Sequence, residues 1–143
     1  MPTLTRWFIK SALIYLLAAL LLAFFLALNP LLSLPAFLNF MTPAYFHLFM
    51  VGWVSQMIFG VVYWMFPIIT RQNPRGNERL DWATYILLNV GLLLRIFAEP
   101  MNGLHPNSNW GWLLVISAVL QWLAAILFVA NTWPRIKEKY RVH

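Results

Sequence analysis

An all-α integral membrane protein, a bundle of four spanning helices, is the fold class that three features of this sequence predict. Of its 143 residues, 62% are hydrophobic and only 10% charged, whereas a soluble domain carries about 25% charged residues. The apolar residues gather into four runs, roughly 7–28, 44–66, 82–104 and 110–133, and a bilayer crossing needs about 20 residues. Trp7, Trp64, Trp82, Trp110, Trp112 and Trp133 fall near the ends of these runs, where amphipathic rings anchor at headgroup level. The runs leave no length for a soluble domain, so residues 1–143 read as one transmembrane unit.

Charge orients the unit. The net charge is +6, but its distribution is more informative. Arg6 and Lys10 flank the first run, Arg71, Arg75 and Arg79 follow the second, and Arg135, Lys137, Lys139 and Arg141 follow the fourth. The connections 29–43 and 105–109 hold no Lys or Arg. The positive-inside rule therefore predicts both termini in the cytoplasm, in a multi-pass protein of the cell inner (cytoplasmic) membrane. No nucleic-acid partner is expected, because the basic residues are split over short segments without a DNA-binding motif. Attraction to anionic headgroups of the lipid bilayer accounts for them. There is no cysteine, which excludes disulfides, thiolate metal sites and covalent c-type heme attachment.

The first run is Leu, Ala and Phe throughout and carries no chemistry. It is longer than a signal-peptide core, and Leu28-Asn29-Pro30 is a poor cleavage site, so it reads as a retained helix. Asn29-Pro30 is expected to end it. Residues 31–40 are apolar but too short to span and contain Pro35; they read as an interfacial segment covering the entrance to the second helix. Thr42-Pro43 reads as an N-cap followed by proline at the first helical position. Residues 71–81 form a polar turn with Pro74 and Gly76 as breakers and Asp81 as N-cap of the third helix.

Few residues within these runs can carry chemistry. His47 sits about 13 Å from the middle of the second helix, at 1.5 Å per residue. Imidazole in lipid is costly unless it coordinates a metal or finds a hydrogen-bond partner. On an α-period, Val51, Val54, Ile58 and Met65 share its face, apolar surroundings that suit an axial heme ligand. A hydrogen bond to a neighbouring helix or an interfacial carbonyl is the simpler alternative. On the opposite face, Gly52, Gln56, Gly60 and Tyr63 form a stripe that reads first as close helix packing with one interhelical hydrogen bond. With both faces occupied, the second helix is expected to be the most buried.

Arg95 and Glu99 on the third helix are the intramembrane charges, and their i, i+4 spacing lets them neutralise each other. Alternatively, the planar fork of Arg95 binds an anionic group such as a heme propionate. Pro100 follows and is expected to loosen the last turn. Ser117 and Gln121 read as an interhelical hydrogen-bonding patch on the fourth helix. His105 falls in a loop, and His143 is the last residue.

The pattern His47-Leu-x-x-x-Gly52-Trp53, with Gly60, Tyr63 and Pro67 following, resembles the second-helix region in subunit I of heme-copper oxidases and nitric oxide reductases. Leu92-Leu-Leu-Arg95-Ile-Phe-Ala-Glu99-Pro100 resembles the helix that follows it in small, divergent relatives. The resemblance runs from Pro43 to Pro100. It implies that His47 is the metal-ligating axial residue of a low-spin heme b, with Gly52, Arg95 and Glu99 as further cofactor-binding candidates. It also implies that the chain matches one four-helix arc of a subunit built from three such arcs around a pseudo-threefold axis. No second intramembrane histidine, no copper-site histidine cluster and no tyrosine–histidine pairing has a counterpart here. The chain is therefore not expected to reduce oxygen or nitric oxide alone, and no residue is assigned as catalytic.

The function predicted is a b-type heme-binding membrane protein for electron transfer or heme handling. A small structural or accessory subunit of a respiratory or photosynthetic membrane complex, without its own cofactor, is the alternative. A transporter or channel is disfavoured by the few polar residues available to line a pathway. A homo-oligomer is expected, a trimer ahead of a dimer, or incorporation in a larger membrane complex.

Overall fold

The computed structural model describes residues 1–72 and 74–136; Lys137, Lys139, Arg141 and His143 lie outside the described residues. Four helices are long and apolar enough to cross a membrane: α1 (Thr3–Leu32), α2 (Thr42–Met65), α3 (Glu78–Leu104) and α4 (Trp110–Thr132). Short 3₁₀ turns at Ala36–Phe40 and Trp133–Arg135 flank them. The helix α1 runs along α2, and α3 along α4. One end of the bundle gathers Arg6 and Lys10, the connection 66–77 and Arg135, and is called the basic end. The other gathers the connections 33–41 and 105–109 and is charge-poor. Trp7, Trp64, Trp112 and Trp133 are exposed near the helix ends, as anchors to headgroups require.

Three boundaries differ from the sequence-based expectation. Helix α1 continues through Pro30 and stops at Ser33, whose φ of 49° is left-handed and whose N–H reaches the Asn29 carbonyl. A proline one turn from the end removes a single hydrogen bond, and Asn29 is engaged instead by the side chain of Asn39. At α2 the N-cap is Met41, which lacks a side-chain cap; Pro43 in the first turn has no N–H that needs one. Helix α3 starts one turn early. Asn77 caps it by accepting from the Arg79 N–H at 3.0 Å, and Asp81 becomes a buried first-turn residue. Glu78 and Asp81 there complement the positive helix end. Pro100 does not end α3, which runs on to Leu104.

The largest departure lies inside α2. Residues Leu48–Ser55 form a π-helix between α-helical Thr42–His47 and Gln56–Met65. Ala44, Leu48, Gly52, Gln56 and Gly60 are all buried. In a straight α-helix each i+4 step turns the side chain by about 40°, which would carry this series well off one face. The wider π turn keeps it aligned against α1 and α3.

That alignment lets backbones approach. A Cβ on Gly52 would lie 2.8 Å from Cβ and Cγ of Tyr15 and 3.0 Å from Leu92, and one on Gly60 would lie 2.9 Å from Cβ of Phe8. These are near-backbone atoms of α1, so the helix itself must move to relieve the overlap. Gly52→Ala is therefore expected to destabilise the protein by about 1–3 kcal/mol, the range of core overpacking. Thermal unfolding in detergent checks this, and an unchanged midpoint would refute the close approach. At the charge-poor end, Gly103 gives way to the ring of Phe40, which seats the 3₁₀ turn on α3. The buried share is the same for α2 and α3, so α2 is not the most buried helix; its His47 side stays open.

Candidate functional site

The side chains that can do chemistry fall into three groups, one at each end of the bundle and one between. At the charge-poor end, His47 closes the first α-helical segment of α2 at the start of the π turn. Its Nδ1 lies 2.9 Å from the carbonyl of Pro43. A carbonyl only accepts, so Nδ1 carries the proton and Nε2 keeps its lone pair. The ring is half-buried. On the same helix, Tyr45, Phe46, Phe49 and Trp53 make a row of ring contacts with centroid spacings of 4.8–6.1 Å, of which Tyr45 and Phe49 pack on the core cluster with Tyr15 and Leu48. Phe46, Met50 and Ile58 are more than half exposed. His47 thus combines a fixed tautomer with an Nε2 that makes no hydrogen bond among the described residues. π turns recur at functional sites, and here one immediately follows the one histidine that lies within the four candidate spans among the described residues.

Arg95 and Glu99 form the ion pair that their spacing suggests, Nε to Oε1 at 3.0 Å, with side chains 20% and 13% exposed. The terminal guanidinium nitrogens of Arg95 make no other hydrogen bond among the described residues. Ile96 packs on the cluster that holds Leu48 and Leu38, so Arg95 and His47 stand at similar depth on neighbouring helices. The structure places them near one level without a bond between them. Gly52, by contrast, sits against Tyr15 and Leu92, within the helix packing. His105 is exposed in the α3–α4 connection.

Midway along the bundle, Asn89 joins three helices. Its Oδ1 accepts from Tyr15 at 2.9 Å and from Gln56 at 3.1 Å, and its Nδ2 donates to the Tyr85 carbonyl at 2.8 Å. Ser11 and Tyr85 hydroxyls meet at 2.6 Å. Ser117 donates to the Gly91 carbonyl at 2.6 Å, and Gln121 to Ser117 at 3.0 Å, the interhelical patch expected of that pair. These bonds satisfy polar groups that hydrocarbon cannot.

The basic end holds a cluster that composition alone conceals. Arg135, only 1% exposed, donates Nε to the Pro67 carbonyl at 3.1 Å and Nη2 to the Tyr63 and Phe66 carbonyls at 3.0 and 2.8 Å. It caps the end of α2, where unpaired carbonyls attract cations. Asp81 is buried within the field of the Arg135 charge; its Oδ2 has no partner among the described residues. Asn131 Oδ1 accepts from the Asn77 N–H at 3.0 Å, beside Gly76, whose φ of 80° and contact with Asn131 exclude a side chain. Arg135 reads in the sequence as one more interfacial cation. Nothing local marks it, because its partners belong to α2.

Among the described residues no three His, Asp or Glu side chains cluster as metal ligands. His47 is a single donor, so it fits a metal whose other ligands come from elsewhere, as in a macrocycle. The family model for cytochrome c and quinol oxidase polypeptide I matches residues 2–107, which hold α1, α2 and α3 with their connections. No curated protein and no solved structure matches the chain.

Proposed function

Because the chain belongs to the cytochrome c and quinol oxidase polypeptide I family, we propose that it is a b-type heme-binding membrane protein. It serves electron transfer or heme handling and is not a complete oxidase. The observation that carries this reading is His47, with Nδ1 held by the Pro43 carbonyl at 2.9 Å and Nε2 free. The bond to Nδ1 fixes the ring and its tautomer, as the outer partners of ligating histidines do. Members of the family bind hemes, and this donor, beside the exposed apolar side chains of Phe46 and Met50, would serve as one ligand to such a group. When bound, a heme supplies a one-electron iron couple. The absence of cysteine means that it is held without covalent attachment. Arg95 offers its free guanidinium nitrogens to a propionate, with Glu99 orienting it.

An absorption spectrum of the purified protein tests the reading. A Soret band is expected, and His47→Ala should abolish it. A colourless wild-type protein that co-purifies with larger partners would instead favour an accessory subunit of a membrane complex.

In the membrane, the unit is a single four-helix domain with both termini on the cytoplasmic side of the inner membrane, assembled as a homo-oligomer. The cysteine-free background allows a direct check of topology. An impermeant thiol reagent should label Arg75→Cys only from the cytoplasm and Asn107→Cys only from outside. The reverse pattern would overturn the orientation.

A further inference from the structure

Resting on the heme-binding reading above, we propose that one heme is shared between two copies of this chain, with His47 of each copy as its two axial ligands. The chain offers a single donor. The other histidines, His105 and His143, fall in the α3–α4 connection and at the last position. Met50 lies only three residues after His47 on the same helix. Met50 therefore approaches an iron from the same side as His47, whereas the second axial ligand must come from the opposite side.

The wall around His47 is also half of an enclosure. Phe46, Met50 and Ile58 are 57%, 53% and 51% exposed, while Gly52 and Gly60 on the buried stripe are already filled by α1. A flat macrocycle against the open wall has its other face bare. A second copy supplies an identical wall.

Symmetry matches the ligands. Two copies inserted in one bilayer share their orientation, so a twofold axis along the membrane normal relates them. A residue facing that axis then meets its own counterpart at the same depth. His47 meets His47 without any adjustment of height. A threefold arrangement, which the likeness to one arc of a pseudo-threefold subunit suggests, sets three imidazoles around the axis and cannot place two of them on opposite sides of one iron without breaking symmetry.

The experiment uses the full chain in mild detergent, with heme quantified against protein, native mass measured and spin state read by electron paramagnetic resonance. The wild type should show dimers with half a heme per chain and a low-spin, six-coordinate signature, and His105→Ala, a change in the exposed α3–α4 connection, should leave all three unchanged. Wild-type and His47→Ala copies carrying different affinity tags are then co-expressed and isolated through both tags. The mixed pair should lose the low-spin signature and regain it on addition of imidazole. One heme per monomer, an unaltered low-spin signature in the mixed pair, or failure to isolate any pair would overturn the shared site while leaving heme binding intact. Absence of heme from the wild type would overturn the heme-binding reading itself.

Discussion

Arg135→Met should cost the folded protein about 3 kcal/mol, a figure that follows from leaving several buried hydrogen-bonding groups unpaired at about 1–3 kcal/mol each. Methionine keeps the length and the apolar stem but offers no donor. The carbonyls of Tyr63, Phe66 and Pro67, held at 2.8–3.1 Å, then lose their shared partner. Asp81 loses the cation it faces. Some of this loss is recovered by water reaching the basic end, which keeps the expected value well below the sum of the separate terms. Arg135→Lys should fall between, since one ammonium cannot span three carbonyls as a planar fork does. Reversible unfolding in mixed micelles measures all three proteins. A loss under about 1 kcal/mol for Arg135→Met, no more than a single ordinary hydrogen bond contributes, would show that the cap does not hold α2 to α4.

The second large effect concerns heme content. Arg95→Leu leaves Glu99, 13% exposed on its side chain, as a lone carboxylate in an apolar setting, without the partner that offsets its desolvation. The single change should weaken folding more than the double change Arg95→Leu with Glu99→Gln, which removes the stranded charge as well. Stability alone cannot separate a purely structural ion pair from a propionate site, because both predict that rescue. Heme occupancy separates them. If Arg95 holds a propionate through its free nitrogens, occupancy should stay severalfold below wild type in the double variant even where folding recovers. Full occupancy there would reduce Arg95–Glu99 to a packing pair.

How much of this was legible beforehand varies with the range of the interaction. The four spans and their tryptophan anchors follow from composition along the chain, since the hydrocarbon thickness sets how many apolar residues a crossing needs. The Arg95–Glu99 pair is equally local, because residues four apart on one helix are neighbours whatever surrounds them. His47 stands out for the same reason: a lone imidazole in an apolar run is visible without any fold. Membership in the oxidase family was readable from the helix-two and helix-three motifs, although the family match begins well before them, at residue 2.

Other features needed the tertiary structure. The π turn of α2 is a response to packing, since it aligns Ala44 through Gly60 against helices that a local period does not know about. Asp81 looked like a cap because it precedes an apolar run, but Asn77 took that place once Asn131 of α4 arrived to hold its N–H. Asn89 became the hub of three helices only when α1 and α2 delivered Tyr15 and Gln56 to it. Arg135 is the plainest case. By itself the sequence determined that a basic residue follows the fourth span. That this residue turns inward and caps α2, across 68–72 positions of chain, was decided by where the ends of two helices meet, for a free carbonyl draws a guanidinium only when folding brings the two within reach.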